Sequence, residues 1–370
     1  MDEHLFYLIA LTMVNGVGSI TARQLLNAYG DAQSIFQEKQ QHLERIPGIG
    51  TILAAELKNP DIFQRAENEL RFIEDAKIQV LLLGEESYPQ RLKECTDAPL
   101  VLYYKGNCNL NAEHIISIVG TRHASHYGHE ITAALIENLS AAFPDTVIIS
   151  GLAYGIDVCA HRNALANHLP TVGVLAHGLD RIYPAVHRQY AVEMLKDGGL
   201  ITDFPSLTFP DKPNFLKRNR IIAGLSDATV VIESAEKGGS LVTADIAFSY
   251  NREVYAYPGR VGDLYSCGCN NLIKTNKAAM ITSANDLIEA LGWQKGSKKS
   301  KPVQAEIFFS DSPETQQVLK LFEANEELHI NQMGKATGLS IQQLTSILFE
   351  LEMDGRIQVL PGNMYKLALA

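Results

Sequence analysis

The sequence predicts an α/β protein built on a doubly wound parallel sheet, with a helical region before it and a small winged-helix region after it. Three observations carry that expectation. Short, nearly continuous apolar runs alternate with helical patterns between residues 115 and 281, as strands covered on both faces of a parallel sheet do. Several of those runs lead straight into loops rich in glycine and small residues. Residues 310–370 read as three helices and a hairpin.

Residues 1–75 read as short helices broken by two similar turns, Val14-Asn15-Gly16-Val17-Gly18-Ser19-Ile20 and Ile46-Pro47-Gly48-Ile49-Gly50-Thr51-Ile52. Each places Gly-x-Gly between apolar residues and then starts a helical pattern, as in a helix-hairpin-helix, which is also SAM-like in kind. Such a turn presents backbone N–H groups to a phosphate, or it simply joins packed helices. Acid exceeds base here, with 9 basic and 15 acidic side chains in residues 1–100, which favours the joining role.

From Ile78 the period changes. Val80–Leu83 and Leu100–Tyr104 read as strands, followed by Ile115–Val119, Val147–Ile149, Thr171–Leu175, Leu200–Thr202, Thr229–Ile232, Val254–Tyr257 and Met280–Ile281. Residues 76–292 are therefore expected to form the sheet domain. Ligands of such sheets sit at the carboxyl ends of the strands, so the informative loops are those just after each run. Residues 293–309, with Lys295-Gly296-Ser297-Lys298-Lys299-Ser300-Lys301-Pro302, read as a linker. In residues 310–370 the expected helices are Glu314–Ala324, Ile330–Lys335 and Ser340–Met353, and the hairpin pairs Arg356–Leu360 with Met364–Leu367. The would-be recognition helix Ser340–Met353 has no Lys or Arg, which leaves a protein contact at least as well supported as groove binding.

Composition sets limits. With 370 residues, 46% hydrophobic and 20% charged, the chain is of ordinary globular make-up. No run is long enough to span a membrane, and Met1-Asp2-Glu3-His4 lacks a signal peptide's basic start, so a cytoplasmic protein is expected. Five cysteines, mostly scattered, fit reduced thiols; Cys267 and Cys269 alone fall short of a structural zinc set, and no metal or cofactor is expected. The net charge of -10 argues against coating nucleic acid by overall potential. The balance is nearly even, 15 basic to 18 acidic, in residues 101–292, so a local patch there is the expected place for an anionic polymer.

That patch is the segment Pro205–Ser226, where Lys212, Lys217, Arg218 and Arg220 fall close to Phe215 ahead of Ile221, Ile222 and Leu225. Cations beside an aromatic ring suit phosphates and stackable bases; a solvated basic helix face is the plainer reading. Three loops add glycine and helix starts: Gly120-Thr121-Arg122, Ser150-Gly151, and Lys237-Gly238-Gly239-Ser240-Leu241-Val242-Thr243. None is a Walker A loop or a dinucleotide fingerprint. Asp157 and His161 invite a catalytic role, but a helix-capping Asp and a packed His explain them.

These residues resemble the DNA-processing protein A (DprA/Smf) family of bacterial transformation proteins. The resemblance is carried by Val119-Gly120-Thr121-Arg122, Ser150 to Asp157 with Ala160-His161, Gly178-Leu179-Asp180 with Tyr183-Pro184, Phe215 with Arg218 to Ser226, Lys237 to Ala244, and Pro258-Gly259 followed by Gly268 and Asn270. Leu216 stands where the family usually has proline, and Gly238 where serine is common. The resemblance implies an extended Rossmann-like domain that binds single-stranded DNA, forms a homodimer and helps load the RecA recombinase, without catalysis. It implies phosphate contacts for Arg122 and Lys212, base stacking for Phe215, and a pocket completed by Gly120, Thr121, Ser150, Gly151, Arg218, Asn219, Arg220, Lys237, Gly238, Gly239, Ser240 and Thr243. The competing expectation is a nucleotide-processing hydrolase similar to the cytokinin-activating phosphoribohydrolases; the proline and catalytic glutamate of their glycine loop are missing around Lys237-Gly238-Gly239.

Overall fold

A computed structural model describes residues 3–294, 312–322, 325, 327–353, 356–360 and 363–367. The chain divides into two units, Met1–Lys295 and Gly296–Ala370. Most of the expected linker, 295–309, lies outside the described residues. Trp293, at its start, belongs to the first unit: its ring packs edge-on at 4.2 Å from His114 and 5.3 Å from Phe143.

The first unit holds a nine-stranded sheet: β1 (Gln79–Leu82), β2 (Val101–Gly106), β3 (Ile115–Val119), β4 (Val147–Ser150), β5 (Thr171–Val174), β6 (Gly199–Thr202), β7 (Ala228–Val231), β8 (Glu253–Ala256) and β9 (Ala279–Met280). Their spatial order is β1-β2-β6-β5-β4-β3-β7-β8-β9. From β3 to β9 all pairings are parallel. The first two strands lie outside the parallel run: β2 joins β6 antiparallel, and β1 joins β2 antiparallel. No crossover of the βαβ kind joins β1 to β2; their connection carries only the short helix Gln90–Lys93, which lets the chain fold straight back.

Successive residues of β3 face opposite cores, which explains why its whole run is apolar. Ile115 and Val119 pack with Val147, Ile149, Val172 and Val174 under helix Lys212–Leu225, which contributes Ile221, Ile222 and Leu225. Ile116 and Ile118 pack on the other face with Leu135, Ile136 and Leu139 of helix His126–Ala142. Each such fully buried aliphatic side chain contributes about 1.5–3 kcal/mol. The polar Ser117 is tolerated within the strand because its hydroxyl lies 2.8 Å from that of Thr229.

The helices of residues 3–75 share one core with the first two strands, in which Ile9, Leu11, Leu25 and Ile35 meet Leu82, Val101 and Tyr103. Gly16 and Gly48 take φ of +86° and +85° in the two turns, a conformation that only glycine adopts without strain. The following Gly18 and Gly50 are the N-caps of helices Ser19–Tyr29 and Thr51–Glu56.

The second unit has helices Pro313–Leu321, Ile330–Thr337 and Ile341–Met353 and a three-stranded antiparallel sheet. Its strands β10 (Glu327–His329), β11 (Ile357–Leu360) and β12 (Met364–Leu367) lie in the order β10-β12-β11. This is a winged helix, with β10 an addition to the expected hairpin. Val318, Met333, Leu344, Leu348 and Ile357 form its core. Gln342, Gln343, Thr345, Ser346, Glu350 and Glu352 are exposed on the third helix, as its polar spacing predicts, and Phe349 is exposed among them.

Candidate nucleic-acid interface

The chain runs β3 to β6 in one direction along the sheet and then returns to place β7 on the other side of β3. That reversal leaves a crevice at the carboxyl ends of β3 and β7, the expected ligand position in a doubly wound sheet. A cleft of about 530 Å³ opens there. Gly120, Thr121 and Arg122 line it after β3, and Gly238, Gly239, Ser240 and Thr243 line it after β7. Lys212, Phe215, Arg218 and Asn219 form the wall between.

Two helix starts face this space. Helix Lys212–Leu225 is capped by Asp211, whose carboxylate accepts from the Asn214 N–H at 2.9 Å, and Pro213 fits the first turn. Helix Gly239–Ser249 has Gly238 as its N-cap, with no side-chain cap; the Leu241 N–H turns back to the Gly238 carbonyl at 3.2 Å, which leaves those of Gly239 and Ser240 for an anion. Cations and a ring complete the lining. The Arg122 guanidinium lies 5.0 Å from the Phe215 ring centroid, that of Arg218 lies at 5.9 Å, and the Tyr183 ring lies at 6.1 Å. Arg122 and Lys212 are exposed and Phe215 is half-buried, so the charges and part of the ring are open to a ligand.

Arg218 differs from them. Only 4% exposed, it donates to the Val174 carbonyl and, at 3.3 Å, to Asn219 Oδ1. Burial pulls its pKa down to about 10, against the pull of the neighbouring Asp157. Burial likewise raises Asp157, although Arg218 opposes the rise. Both side chains crowd Gly151, where an added Cβ would collide with the Asp157 carboxylate and the Arg218 guanidinium. Arg218 thus acts as a fixed charge in the wall of the cleft.

The structure leaves four of the expected site residues out of this lining. Ser150 is buried, its hydroxyl donating to the Ile118 carbonyl at 2.6 Å, because the last residue of β4 points into the sheet. Gly151 is also buried beneath the floor, and its carbonyl accepts from His161. Lys237 is exposed on the rim turn just outside. Arg220 points to the opposite side of its helix. It pairs with Asp203 at 2.6 Å and with the Asp97 carboxylate at 3.6 Å, and donates to the Ser19 hydroxyl at 3.1 Å. Burial alone would lower its pKa, but Asp203 and then Asp97 outweigh that and hold it above the ordinary value. Arg220 therefore ties the helical region to the sheet.

Asp157 is not the expected cap either: Gly155 is the N-cap of helix Ile156–Ala166, and Asp157 lines the cleft floor. Gly155 has φ of +75°, and a Cβ there would collide with the Thr121 carbonyl and the Arg122 backbone, so no side chain fits. His161 is fully buried between the Thr171 hydroxyl at 2.7 Å and the Gly151 carbonyl at 2.6 Å, and burial pushes its pKa down to about 4. The carbonyl can only accept, so Nε2 carries the proton. Sequence reasoning missed Tyr183 as a lining residue; the signal was its place in the loop after β5, at the carboxyl edge of the sheet. Among the described residues no three His, Cys, Asp or Glu side chains converge as a metal set, and no helix is long and apolar enough to cross a membrane.

The chain thus joins a doubly wound, Rossmann-like sheet with a glycine-lined cationic cleft at its switch point to a winged helix further along the sequence. The chain belongs to the DNA recombination-mediator protein A family, whose model matches residues 79–292, and the DprA winged helix domain matches residues 304–363. It is 30% identical to Protein Smf of Synechocystis over 97% of this chain and 98% of the relative, and 33% identical to Protein Smf of Escherichia coli over 82% and 81%. The structure of DNA processing protein A from Streptococcus pneumoniae superposes with a TM-score of 0.66 and 30% identity, covering 77% of this chain and 97% of that one. That from Helicobacter pylori, studied for its single-stranded DNA binding mode, superposes at 0.52 with 29% identity, covering 58% and 95%.

Proposed function

We propose that the cleft binds single-stranded DNA without breaking bonds in it, and that the protein acts in the cytoplasm as a homodimer that delivers strands to a RecA-type recombinase. Arg122 and Lys212 neutralise phosphates. Phe215 stacks on a base, and the open N–H groups at Gly239 and Ser240 hold a further phosphate. The observation that carries this reading is the pairing of exposed cations with one half-buried ring at two helix starts. Stacking on a ring tolerates any base, and cations read only the backbone, so affinity comes with little sequence preference.

The test is fluorescence anisotropy of a labelled single-stranded oligonucleotide across a salt series, with a duplex competitor. Lys212→Ala and Arg122→Ala should each weaken binding and flatten the salt dependence by about 0.7 in log–log slope. Absence of binding by the wild type overturns the reading. Release of free base from nucleoside monophosphates would replace it with the hydrolase reading.

A further inference from the structure

We propose that the DNA track continues past the central cleft to a second stacking station, formed by the rings of His123 and Tyr265, with the cations Lys237 and Arg260 on the loops that adjoin Tyr265. The inference rests on the single-strand reading above and extends it to a site that would engage the next part of the same strand.

The contacts run in sequence across the surface. Phe215 carries Arg122 on its face; His123 is the next residue, its backbone N–H held by the Thr121 hydroxyl at 3.1 Å. The His123 ring lies 6.3 Å from the Tyr265 ring at an interplanar angle of 26°, a nearly parallel stack. Tyr265 belongs to a loop fastened to the rim of the cleft. Its carbonyl accepts from the Ser234 N–H at 2.7 Å, and the Ser234 carbonyl accepts from Gly268 at 2.9 Å. Lys237 sits on the same rim, in the turn closed by the Gly238 N–H on the Ala235 carbonyl at 3.0 Å. Lys237 lies outside the lining of the central cleft, and the second station gives it a role.

The surroundings of Tyr265 are those of a contact residue. Tyr88, a packing tyrosine, is fully buried and donates its hydroxyl to the Pro99 carbonyl at 2.8 Å. Tyr265 is only half-buried, and its hydroxyl has no hydrogen-bond partner among the described residues. His123 and Arg260 are exposed, and the adjoining Val261 is 99% exposed. An aromatic pair on loops that also carry exposed cations suits successive unpaired bases and their backbone.

Anisotropy with a labelled oligothymidylate, and with a strand of equal length lacking bases, tests the station. Tyr265→Leu should weaken binding of the oligothymidylate about tenfold, Tyr265→Phe should restore it, and both should bind the abasic strand as the wild type does. Lys237→Ala and Arg260→Ala should each flatten the salt dependence by about 0.7. Circular dichroism melting of each variant shows whether it is folded. If folded Tyr265→Leu binds the oligothymidylate as tightly as a wild type that does bind, the second station is overturned while the central cleft stands. If the wild type binds no single strand, the proposed function falls and takes this inference with it.

Discussion

Replacing Arg220 with methionine should destabilise the fold and leave DNA binding intact. The side chain is 18% exposed and meets two carboxylates, Asp203 at 2.6 Å and Asp97 at 3.6 Å, together with the Ser19 hydroxyl. Methionine keeps most of the volume and removes the charge, so Asp203, itself 11% exposed, is left near the interior without its partner. Breaking a buried pair in this way costs about 3–5 kcal/mol, and the residual exposure places Arg220→Met near the lower end. At roughly 2 °C per kcal/mol for a unit of this size, the melting temperature should fall by roughly 6 °C. Adding Asp203→Leu should recover much of that, because the stranded carboxylate is then gone. Urea titration followed by circular dichroism measures the stability, and anisotropy on the folded variants measures binding. A variant with unchanged stability, weaker single-strand binding and a flatter salt dependence would refute the structural role and return Arg220 to the DNA site.

Phe215→Ala should weaken single-strand binding by about 1–3 kcal/mol with no change in salt dependence, since stacking is lost and no charge is; a changed slope in the same anisotropy series would contradict this. Gly151→Ala should lower the melting temperature through a loss of about 1–3 kcal/mol, because its Cβ would displace the buried Asp157 carboxylate and Arg218 guanidinium; a variant as stable as the wild type contradicts that. Stability should also fall on acidification through His161. Its pKa is about 4 in the folded protein against 6.5 ordinarily, so the unfolded chain binds the extra proton between those values. The contribution is fully present above pH 6.5 and lost by pH 4, about 3 kcal/mol in all. Urea titrations at pH 7 and 4.5 should show a smaller loss for His161→Gln than for the wild type.

The strands from β3 to β8 were legible because each is apolar on both faces, and their carboxyl-end loops followed from the same pattern. The antiparallel first two strands were not, since a short apolar run carries no direction. Within helix Lys212–Leu225 the distinction between cleft and staple was available from periodicity. At about 100° per residue, Lys212, Phe215, Asn219 and Ile222 share a face. Arg220 falls with Leu216 and Lys217, beside a second hollow lined by Ser19, Asp97 and Asp203. Charge alone grouped Arg218 with Arg220; their opposite facings separate them. Ser150 shows the same limit in a strand, where a side chain at the end of a run points inward or outward by parity. The burial of Arg218 beside Asp157 depends on a turn far away in sequence, and no local signal announced it.

The switch point also sets when the protein becomes competent during synthesis. One wall of the cleft is made of residues 119–122 and the other of residues 210–243, and they meet only after β7 has taken its place against β3. A chain released only through β6 lacks β7 and the wall of residues 210–243, and so has no cleft. Ligand competence arrives in one late step, so chains truncated before about residue 250 should be inert rather than partly active.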